Sequence, residues 1–234
     1  MSAQGGIVIV GGTRGLGLEL ARHYAGADRD VVITGRDEAA AKEVAAELGN
    51  STSAVALELT RPEGIDAALA GVGPVAHLVL AAIDRDENSV RDYDIQRATS
   101  LAMLKLVGYT EVVHTLVPRL GDESSIVVFG GQAKDRPYGG SLTVTTVNGA
   151  MDSLVRALAV ELAPVRVNGI HPGIVGDSPY WAAKPEQVLE GIRSRTPTGR
   201  LVSMQDIVGA VVFLLENASV NGENLTVNGG TLLL

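Results

Sequence analysis

Residues 7–17 read IVIVGGTRGLG, an apolar run that passes directly into a glycine-rich turn, and a helical pattern begins at residue 16. The β-branched run predicts a buried strand. Glycine at a turn between a strand and a helix permits positive φ and a close approach of the backbone to a phosphate group. The N-terminus of the helix then directs free N–H groups toward that phosphate. The stretch predicts a phosphate-binding strand–turn–helix unit, although such turns also use glycine for purely structural reasons.

The alternation of strand and helix patterns continues along the chain. Short β-branched runs predict seven strands, near residues 7–10, 31–34, 54–57, 77–81, 125–129, 165–170 and 224–227. Helical patterns lie between them, at 16–25, 38–48, about 90–120, about 144–162 and 205–216. Most of the strand runs are apolar throughout, which is typical of parallel strands buried on both faces. We therefore predict a doubly wound α/β sheet with right-handed crossovers.

The composition excludes several classes of site. The 234 residues contain no cysteine, so zinc–thiolate centres, iron–sulfur clusters, thiol nucleophiles and disulfides are impossible. The net charge of −8 argues against a surface for nucleic acid or for an anionic membrane. No apolar run is long enough to span a bilayer, and no basic segment precedes the first one, so we expect neither a membrane span nor a signal peptide. The four histidines show no metal-ligand spacing, so we expect no metal, and we expect a cytoplasmic location.

The glycine spacing G-x-x-x-G-x-G resembles the first turn of the short-chain dehydrogenase/reductase family, with Val10 where that family usually has Thr. Later segments resemble the family in the same order, namely RVNGIHPG at 166–173, TGRLVSMQDIVGAVVFLLEN at 198–217 and GENLTVNGG at 222–230. The resemblance covers essentially the whole chain. It implies a single Rossmann-type domain over residues 1–234, with a seven-stranded parallel sheet, helices on both faces and a substrate loop at about 172–200.

The end of the second predicted strand indicates which dinucleotide is bound. This strand ends in Gly35-Arg36, and no carboxylate occurs before Asp37. A carboxylate there would accept hydrogen bonds from the ribose of NAD, whereas a guanidinium binds the 2′-phosphate of NADP. Arg14 in the glycine turn adds a second cation, as in the NADP-preferring members that the chain resembles. We therefore expect NADP(H) as the cofactor.

The resemblance also implies the other cofactor contacts. Glu58 and Leu59 would flank the adenine, with Glu58 in place of the usual Asp, and Ile174 and Ser178 would contact the nicotinamide carboxamide. The predicted cofactor residues are Gly11, Thr13, Arg14, Gly15, Leu16, Gly17, Arg36, Glu58, Leu59, Ala81, Ala82, Asn148, Ile174 and Ser178.

The resemblance fails at the catalytic positions. The family uses a Ser, a Tyr and a Lys, with Tyr and Lys in a Y-x-x-x-K pattern, and an Asn on an earlier helix. Asn148-Gly149-Ala150 stands where the family has K-A-A, about twenty residues before RVNGIHPG. This register puts Asn148 at the Lys position, Val144 at the Tyr position and Gly131 at the Ser position. Ser100 falls at the Asn position, so all four are replaced.

Other side chains are candidates for the missing proton donor. Gln132 and Tyr138 lie close in sequence to Val144, which stands at the family's Tyr position. Asp177 and Tyr180 lie in the predicted substrate loop. Tyr180 and Lys184 form the one Y-x-x-x-K in the chain, but they follow the sixth strand and we interpret the pattern as coincidence. His171 precedes Pro-Gly, where the family often has a small residue or His without a catalytic role.

Three functions remain open from the sequence. The first is an NADP(H)-dependent reductase of a carbonyl or imine substrate that works without the usual Tyr and Lys. The second is an NADP(H)-binding enzyme without net redox chemistry, such as a cyclase, isomerase or lyase. The third is a catalytically inactive NADP(H) sensor or subunit. The family resemblance and the apolar end at 231–234 favour a homodimer or homotetramer acting on a small molecule.

Overall fold

The fold is one parallel sheet with helices on both faces, as described for residues 5–49, 51–84 and 86–233 by a computed structural model. The seven strands found there are β1 (Gly6–Val10), β2 (Val31–Gly35), β3 (Thr52–Ala56), β4 (Val75–Leu80), β5 (Leu120–Phe129), β6 (Arg166–Pro172) and β7 (Asn224–Val227). Their order in the sheet is β3-β2-β1-β4-β5-β6-β7, and each neighbouring pair is parallel. The predicted doubly wound sheet is therefore confirmed, and β5 begins five residues earlier than predicted.

Helices connect the strands. In the described residues they are α1 (Gly15–Gly26), α2 (Glu38–Leu48), α3 (Ile65–Leu69), α4 (Ile95–Ala102), α5 (Tyr109–Leu116), α6 (Leu142–Glu161), α7 (Pro179–Ala182), α8 (Glu186–Arg193) and α9 (Met204–Glu216). The short helices α3, α7 and α8 were not predicted, because none of them contains a long enough apolar period to be recognised. No described helix is both long and apolar enough to cross a membrane.

The helix predicted at about 90–120 is three segments. Asp94 starts α4, because its carboxylate accepts the backbone N–H groups of Gln96 and Arg97 at 2.9 and 3.1 Å. A π-helical segment, Met103–Gly108, then joins α4 to α5. Insertions of this kind inside a helix re-aim the side chains that follow and are frequent at functional sites.

Successive side chains of each strand point to opposite faces of the sheet, so each strand contributes to the core on both faces. Val8, Leu78 and Ile126 point to the face covered by α3, α5 and α6. Ile7, Val79 and their neighbours point to the opposite face, which α1, α2 and α9 cover. β1 lies between β2 and β4, so the connection after β1 and the connection after β4 run in opposite directions along the sheet. A crevice opens between these connections at the carboxyl ends of the strands, where such sheets bind ligands.

Candidate functional site

The glycine turn after β1 is packed too closely to accept a side chain at Gly11 or Gly17. Gly11 has φ +86°, and a Cβ atom there would lie 2.7 Å from the Cα of Ala82 at the end of β4. A Cβ on Gly17 would lie 2.1 Å from the carbonyl oxygen of Gly11. Helix α1 begins with no side-chain cap and no acidic residue in its first turn, so its free N–H groups and positive dipole end are open to an anion. The backbone here forms a cradle suited to a pyrophosphate.

Two arginines lie near this cradle. Arg14 is the N-cap residue of α1 and is exposed, and Arg36 follows β2 with 62% of its side chain exposed. The guanidinium Nη1 of Arg36 lies 3.9 Å from Oδ2 of Asp84, which follows β4. Because β1 lies between β2 and β4, this ion pair reaches across the mouth of the crevice.

Glu58 is held in one orientation. Its Oε1 accepts hydrogen bonds from the backbone N–H and the hydroxyl of Thr60, at 3.0 and 2.7 Å. Partial burial raises the pKa of Glu58, but the Thr60 bonds and the charges of Arg36 and Arg61 outweigh burial and lower the pKa overall. Glu58 is therefore an ionised acceptor beside the crevice. Leu59, predicted to flank the adenine, is a buried core residue whose backbone packs against the π-helical segment.

The second half of the site is centred on Gly131, directly after β5. A Cβ on Gly131 would lie 2.8 Å from Nδ2 of Asn148, so the residues at the predicted Ser and Lys positions face each other. Asn148 is 7% exposed, and its side-chain amide forms no hydrogen bond to any residue that the structure describes. Val144 lies half-buried one turn earlier on α6. Gly131 and Asn148 are therefore neighbours in space, and their assignment to the family's catalytic positions stays a prediction.

His171 on β6 lies directly behind this turn. A Cβ on Gly130 would lie 2.3 Å from Nδ1 of His171, so the ring occupies the space of a side chain at residue 130. The backbone N–H of Gly131 donates to His171 Nδ1 at 3.2 Å. Because Nδ1 accepts, the proton of the neutral ring is on Nε2, which donates to Oδ1 of Asn224 at 3.1 Å. His171 therefore positions the Gly130–Gly131 turn from behind.

The surroundings keep His171 neutral. Its ring is fully buried, and burial lowers its pKa despite the bond to Asn224 and the nearby Asp152 carboxylate, whose Oδ1 lies 3.0 Å from Nε2. The other oxygen of Asp152 pairs with Lys134 at 3.1 Å. His171 has no open path to a substrate, in keeping with the non-catalytic interpretation of the sequence.

Sequence analysis missed Lys105 in the π-helical segment. Lys105 is 2% exposed, and its Nζ donates to the backbone carbonyl of Phe129, the last residue of β5, at 2.5 Å. Burial lowers the pKa of Lys105 to about 7. One turn later, the hydroxyl of Tyr109 donates to the carbonyl of Ala82. The sequence contains a pattern that could have identified Lys105. Leu101, Lys105 and Tyr109 are spaced four residues apart, which places the lysine on an apolar helix face.

The remaining candidates after β5 and on α4 are placed as follows. Gln132 accepts a hydrogen bond from the Thr231 hydroxyl at 3.1 Å and lies against Gly173, so it is close to the Gly131 turn. Tyr138 is 60% exposed, and its backbone is bonded to Ser141. Ser100 is half-buried on α4, five residues before Lys105. Gln132 therefore lies close to Gly131. Lys105, instead of Ser100, contacts the carboxyl end of β5.

The predicted substrate loop has its own contacts. Asp177 is exposed and accepts the backbone N–H of Met204 at 2.8 Å, which ties the loop to the start of α9. The Ser178 hydroxyl donates to the carbonyl of Val175 at 2.7 Å, and Ile174 is half-buried just after β6. Lys184 Nζ lies 4.3 Å from the centre of the Tyr180 ring, so the Y-x-x-x-K pair interacts within the loop. Nowhere in the described ranges do three His, Asp or Glu side chains form a group that could bind a metal ion.

Comparison with known proteins identifies the family. The family model described as Enoyl-(Acyl carrier protein) reductase matches residues 10–231. A curated relative, the short-chain dehydrogenase/reductase ATR9 of Stachybotrys chlorohalonatus, is 27% identical over 97% of this chain and 96% of its own. The chain belongs to the short-chain dehydrogenase/reductase family, a family of oxidoreductases that bind a nicotinamide cofactor.

Solved structures agree with this assignment. A short chain dehydrogenase/reductase family protein has a TM-score of 0.87 and 30% identity, with complete coverage of both chains. The 3-ketoacyl-(acyl-carrier-protein) reductase of Brucella melitensis, solved in complex with NADH, has a TM-score of 0.86 and 28% identity over 99% of this chain and 100% of its own. The predicted Rossmann-type domain is confirmed.

Proposed function

We propose that the protein is an NADP(H)-dependent reductase of a carbonyl or imine substrate whose site works without a tyrosine–lysine acid. The observation that carries the proposal is the side-chain amide of Asn148, which lies against Gly131 and forms no hydrogen bond to the described residues, at the end of the sheet that carries the glycine cradle. This amide is available to hydrogen-bond a ligand.

The described residues fit a bound dinucleotide phosphate. The cradle of Gly11, Gly15 and Gly17 would hold the pyrophosphate, because close backbone packing at Gly11 and Gly17 fixes the turn beside the uncapped N-terminus of α1. Arg14 and Arg36 would bind the 2′-phosphate. The Arg36–Asp84 pair is exposed and long, so it contributes only about 0–1 kcal/mol and Arg36 can turn to a phosphate at little cost.

The residues of the pocket suit a substrate that needs little acid catalysis. Val144 carries no proton, and Asn148 can donate a hydrogen bond from Nδ2 that orients a ribose hydroxyl or the substrate. Loss of a general acid costs roughly 10²–10⁴ in rate, whereas holding two reactants in place contributes roughly 7–11 kcal/mol. When bound, the cofactor supplies a hydride. An iminium substrate already carries positive charge and needs no proton donor, so imines and activated ketones are favoured.

One observation supports a second candidate. Gly131, Val144 and Asn148 stand where the family resemblance predicts three reactive side chains, which also suits a protein that retains NADP(H) without net redox chemistry. Such a protein would be a cyclase, isomerase or lyase, or a sensor subunit. Its expected behaviour is tight cofactor binding without transfer to any substrate.

A homodimer or homotetramer is part of the proposal. Members of this family typically oligomerise. Tyr93 is exposed and lines a groove of about 330 Å³ between α4 and α6. Ile95, Val107, Phe213 and Leu233 are also exposed. The predicted apolar end continues to Leu234, which lies outside the described residues. Light scattering after size exclusion tests the assembly, and a monomer at micromolar concentration would contradict it. The cytoplasmic location stays a prediction.

Deuterium transfer tests the reductase directly. NADPH deuterated on the face from which the family donates is incubated with ketones, quinones and cyclic imines, and the products are examined by mass spectrometry. We expect label in an imine or activated carbonyl product, and no label when the opposite face is deuterated. Binding without transfer across the whole panel would overturn the reductase and favour the second candidate.

Introducing the family's Tyr and Lys tests whether the pocket is adapted to work without them or is merely disabled. The double variant Val144→Tyr, Asn148→Lys is compared with wild type on the same panel. We expect little gain on the natural substrate class, because the pocket is adapted to work without an acid. A strong gain in simple ketone reduction would mean that the natural pocket is merely disabled.

A further inference from the structure

Lys105 and Tyr109 lie four residues apart on one helix face and reach two neighbouring strand ends. Lys105 Nζ donates to the carbonyl of Phe129 at the end of β5, and the Tyr109 hydroxyl donates to the carbonyl of Ala82 just after β4. Phe129 directly precedes the Gly130–Gly131 turn, and Ala82 packs against Gly11 of the phosphate cradle. The π-helical segment, through Lys105, and the start of α5, through Tyr109, therefore contact the two halves of the crevice from behind.

Lys105 is a buried cation without a carboxylate partner in the described residues. The titratable group that faces it is Tyr109, whose ring centre lies 5.3 Å from Nζ and whose pKa burial raises, so that the phenol stays protonated. The charged groups on the far side of Gly131 are Asp152 and Lys134, which pair with each other. Burial alone lowers the pKa of Lys105 to about 7, so its charge changes near neutral pH.

We propose that Lys105 is a positioning residue that also sets the charge of the nicotinamide pocket, through its hydrogen bond to Phe129 at the base of the Gly130–Gly131 turn. The proposal rests on the proposed function only in placing the nicotinamide beside Gly131 and Asn148. An ammonium there stabilises negative charge that develops on a substrate oxygen and opposes the positive charge of an oxidised nicotinamide ring. The neutral amine does neither.

The charge of Lys105 can be measured without turnover. The chain has four lysines, at positions 42, 105, 134 and 184, so each side-chain signal can be followed by NMR across pH. We expect one lysine to titrate near neutral pH and to be missing in Lys105→Met. Lys42→Met is the matched control, because Lys42 is an exposed residue paired with Glu38 at 2.6 Å, and its removal should leave that titration unchanged.

Cofactor binding then tests the role in the pocket. The ratio of the dissociation constants of NADP⁺ and NADPH is measured by fluorescence and calorimetry from pH 5.5 to 9, which cancels the titration of the 2′-phosphate common to both. In wild type we expect the ratio to fall about 10-fold as Lys105 loses its proton. Lys105→Arg keeps its charge, so the ratio should stay at its acidic value, and Lys105→Met should stay at its alkaline value.

The outcomes are separable. A Lys105 that titrates as an ordinary exposed lysine, or a ratio whose pH dependence survives in Lys105→Arg, overturns the proposal. If Lys105→Met does not fold, the wild-type titration and Lys105→Arg still decide. A pH-dependent ratio that disappears in Lys105→Arg supports the proposal even where no deuterium reaches a product, and in that case only the proposed reduction fails.

Discussion

The two halves of the crevice are built in different ways. The phosphate cradle comes from one continuous stretch, and its shape depends on backbone atoms with no room for a Cβ at Gly11 or Gly17. The Gly131 centre is assembled from β5, α6, β6 and the π-helical segment, and its shape depends on the side chains of Asn148, His171 and Lys105. The first half therefore depends on the absence of side chains at two glycines, whereas the second depends on side chains that several elements bring together.

The largest effect is expected in the cradle. Gly17→Ala places a Cβ 2.1 Å from the Gly11 carbonyl oxygen, so the turn must move. We expect NADPH binding to weaken at least about 100-fold and the free energy of unfolding to fall by about 1–3 kcal/mol. Gly26→Ala, at the open end of the same helix, is the control and should be neutral or stabilising by up to about 1 kcal/mol. Equal binding by the two variants would show that the turn is not a cofactor cradle.

The next effect concerns cofactor choice. Arg36→Ala removes a guanidinium that would form charge-assisted hydrogen bonds to the 2′-phosphate, so the affinity for NADPH should fall by about 10–100-fold and that for NADH should change little. Fluorescence titration with both cofactors measures the change, with Arg22→Ala on the exposed side of α1 as control. If NADH binds wild type as tightly as NADPH, the assignment of NADP(H) is wrong.

The Gly131 centre, unlike the phosphate cradle, contains a buried histidine, so it should make the stability of the fold sensitive to acid. The pKa of folded His171 lies below the ordinary value, so the unfolded chain binds more protons below about pH 6.5, and the stability that His171 contributes is lost as pH falls. The free energy of unfolding of the wild type falls between pH 7.5 and pH 5, and urea unfolding measures this fall. In His171→Gln the fall should be smaller by at most about 2 kcal/mol.

Two other histidines serve as references for that measurement. Burial lowers the pKa of His77 to about 4, so His77 contributes a similar acid loss to wild type and to the variant. His114→Gln, on the exposed face of α5, is the matched histidine substitution with which the slope of His171→Gln is compared. An unchanged slope in His171→Gln would mean that the ring is not held neutral behind Gly131.

The smallest effect is expected at Asp84. Asp84→Asn removes the carboxylate that faces Arg36 across the crevice, and it also removes a negative charge close to the predicted phosphate. We expect NADPH to bind about 2–5-fold more tightly at low ionic strength, with the gain declining as salt is added. Weaker binding in this variant would show that Asp84 contributes to cofactor recognition instead of competing with it.

The sequence predicted the fold well for a physical reason, and the prediction of the cradle rests on the same kind of pattern. Strand alternation and the glycine spacing are local patterns, and every residue of the cradle except Ala82 lies within one short stretch. Asp94 shows the same principle at a helix start, because a cap and the backbone groups it satisfies are close in sequence.

The Gly131 centre was predictable only in part. The register of Asn148 and Gly131 came from family resemblance and stays a prediction, and the structure places the two residues next to each other. Lys105 was missed because its role depends on a π-helical insertion and on a contact 24 residues away, neither of which a helical period reveals. His171 depends likewise on Gly130, 41 positions earlier in the chain, being small enough to admit its ring.

The π-helical segment Met103–Gly108 also governs how the chain tolerates changes in length. A π-turn holds about one residue more than an α-helical turn, so deletion of one residue there would merge α4 and α5 into a regular helix. Because the π-helical segment absorbs the extra residue, such a deletion would leave α4 and α5 near their present orientation. The same deletion in a regular helix would rotate everything after it by about 100° relative to what precedes it. The connection between β4 and β5 should therefore tolerate the loss of one residue in this segment better than a loss elsewhere in α4 or α5.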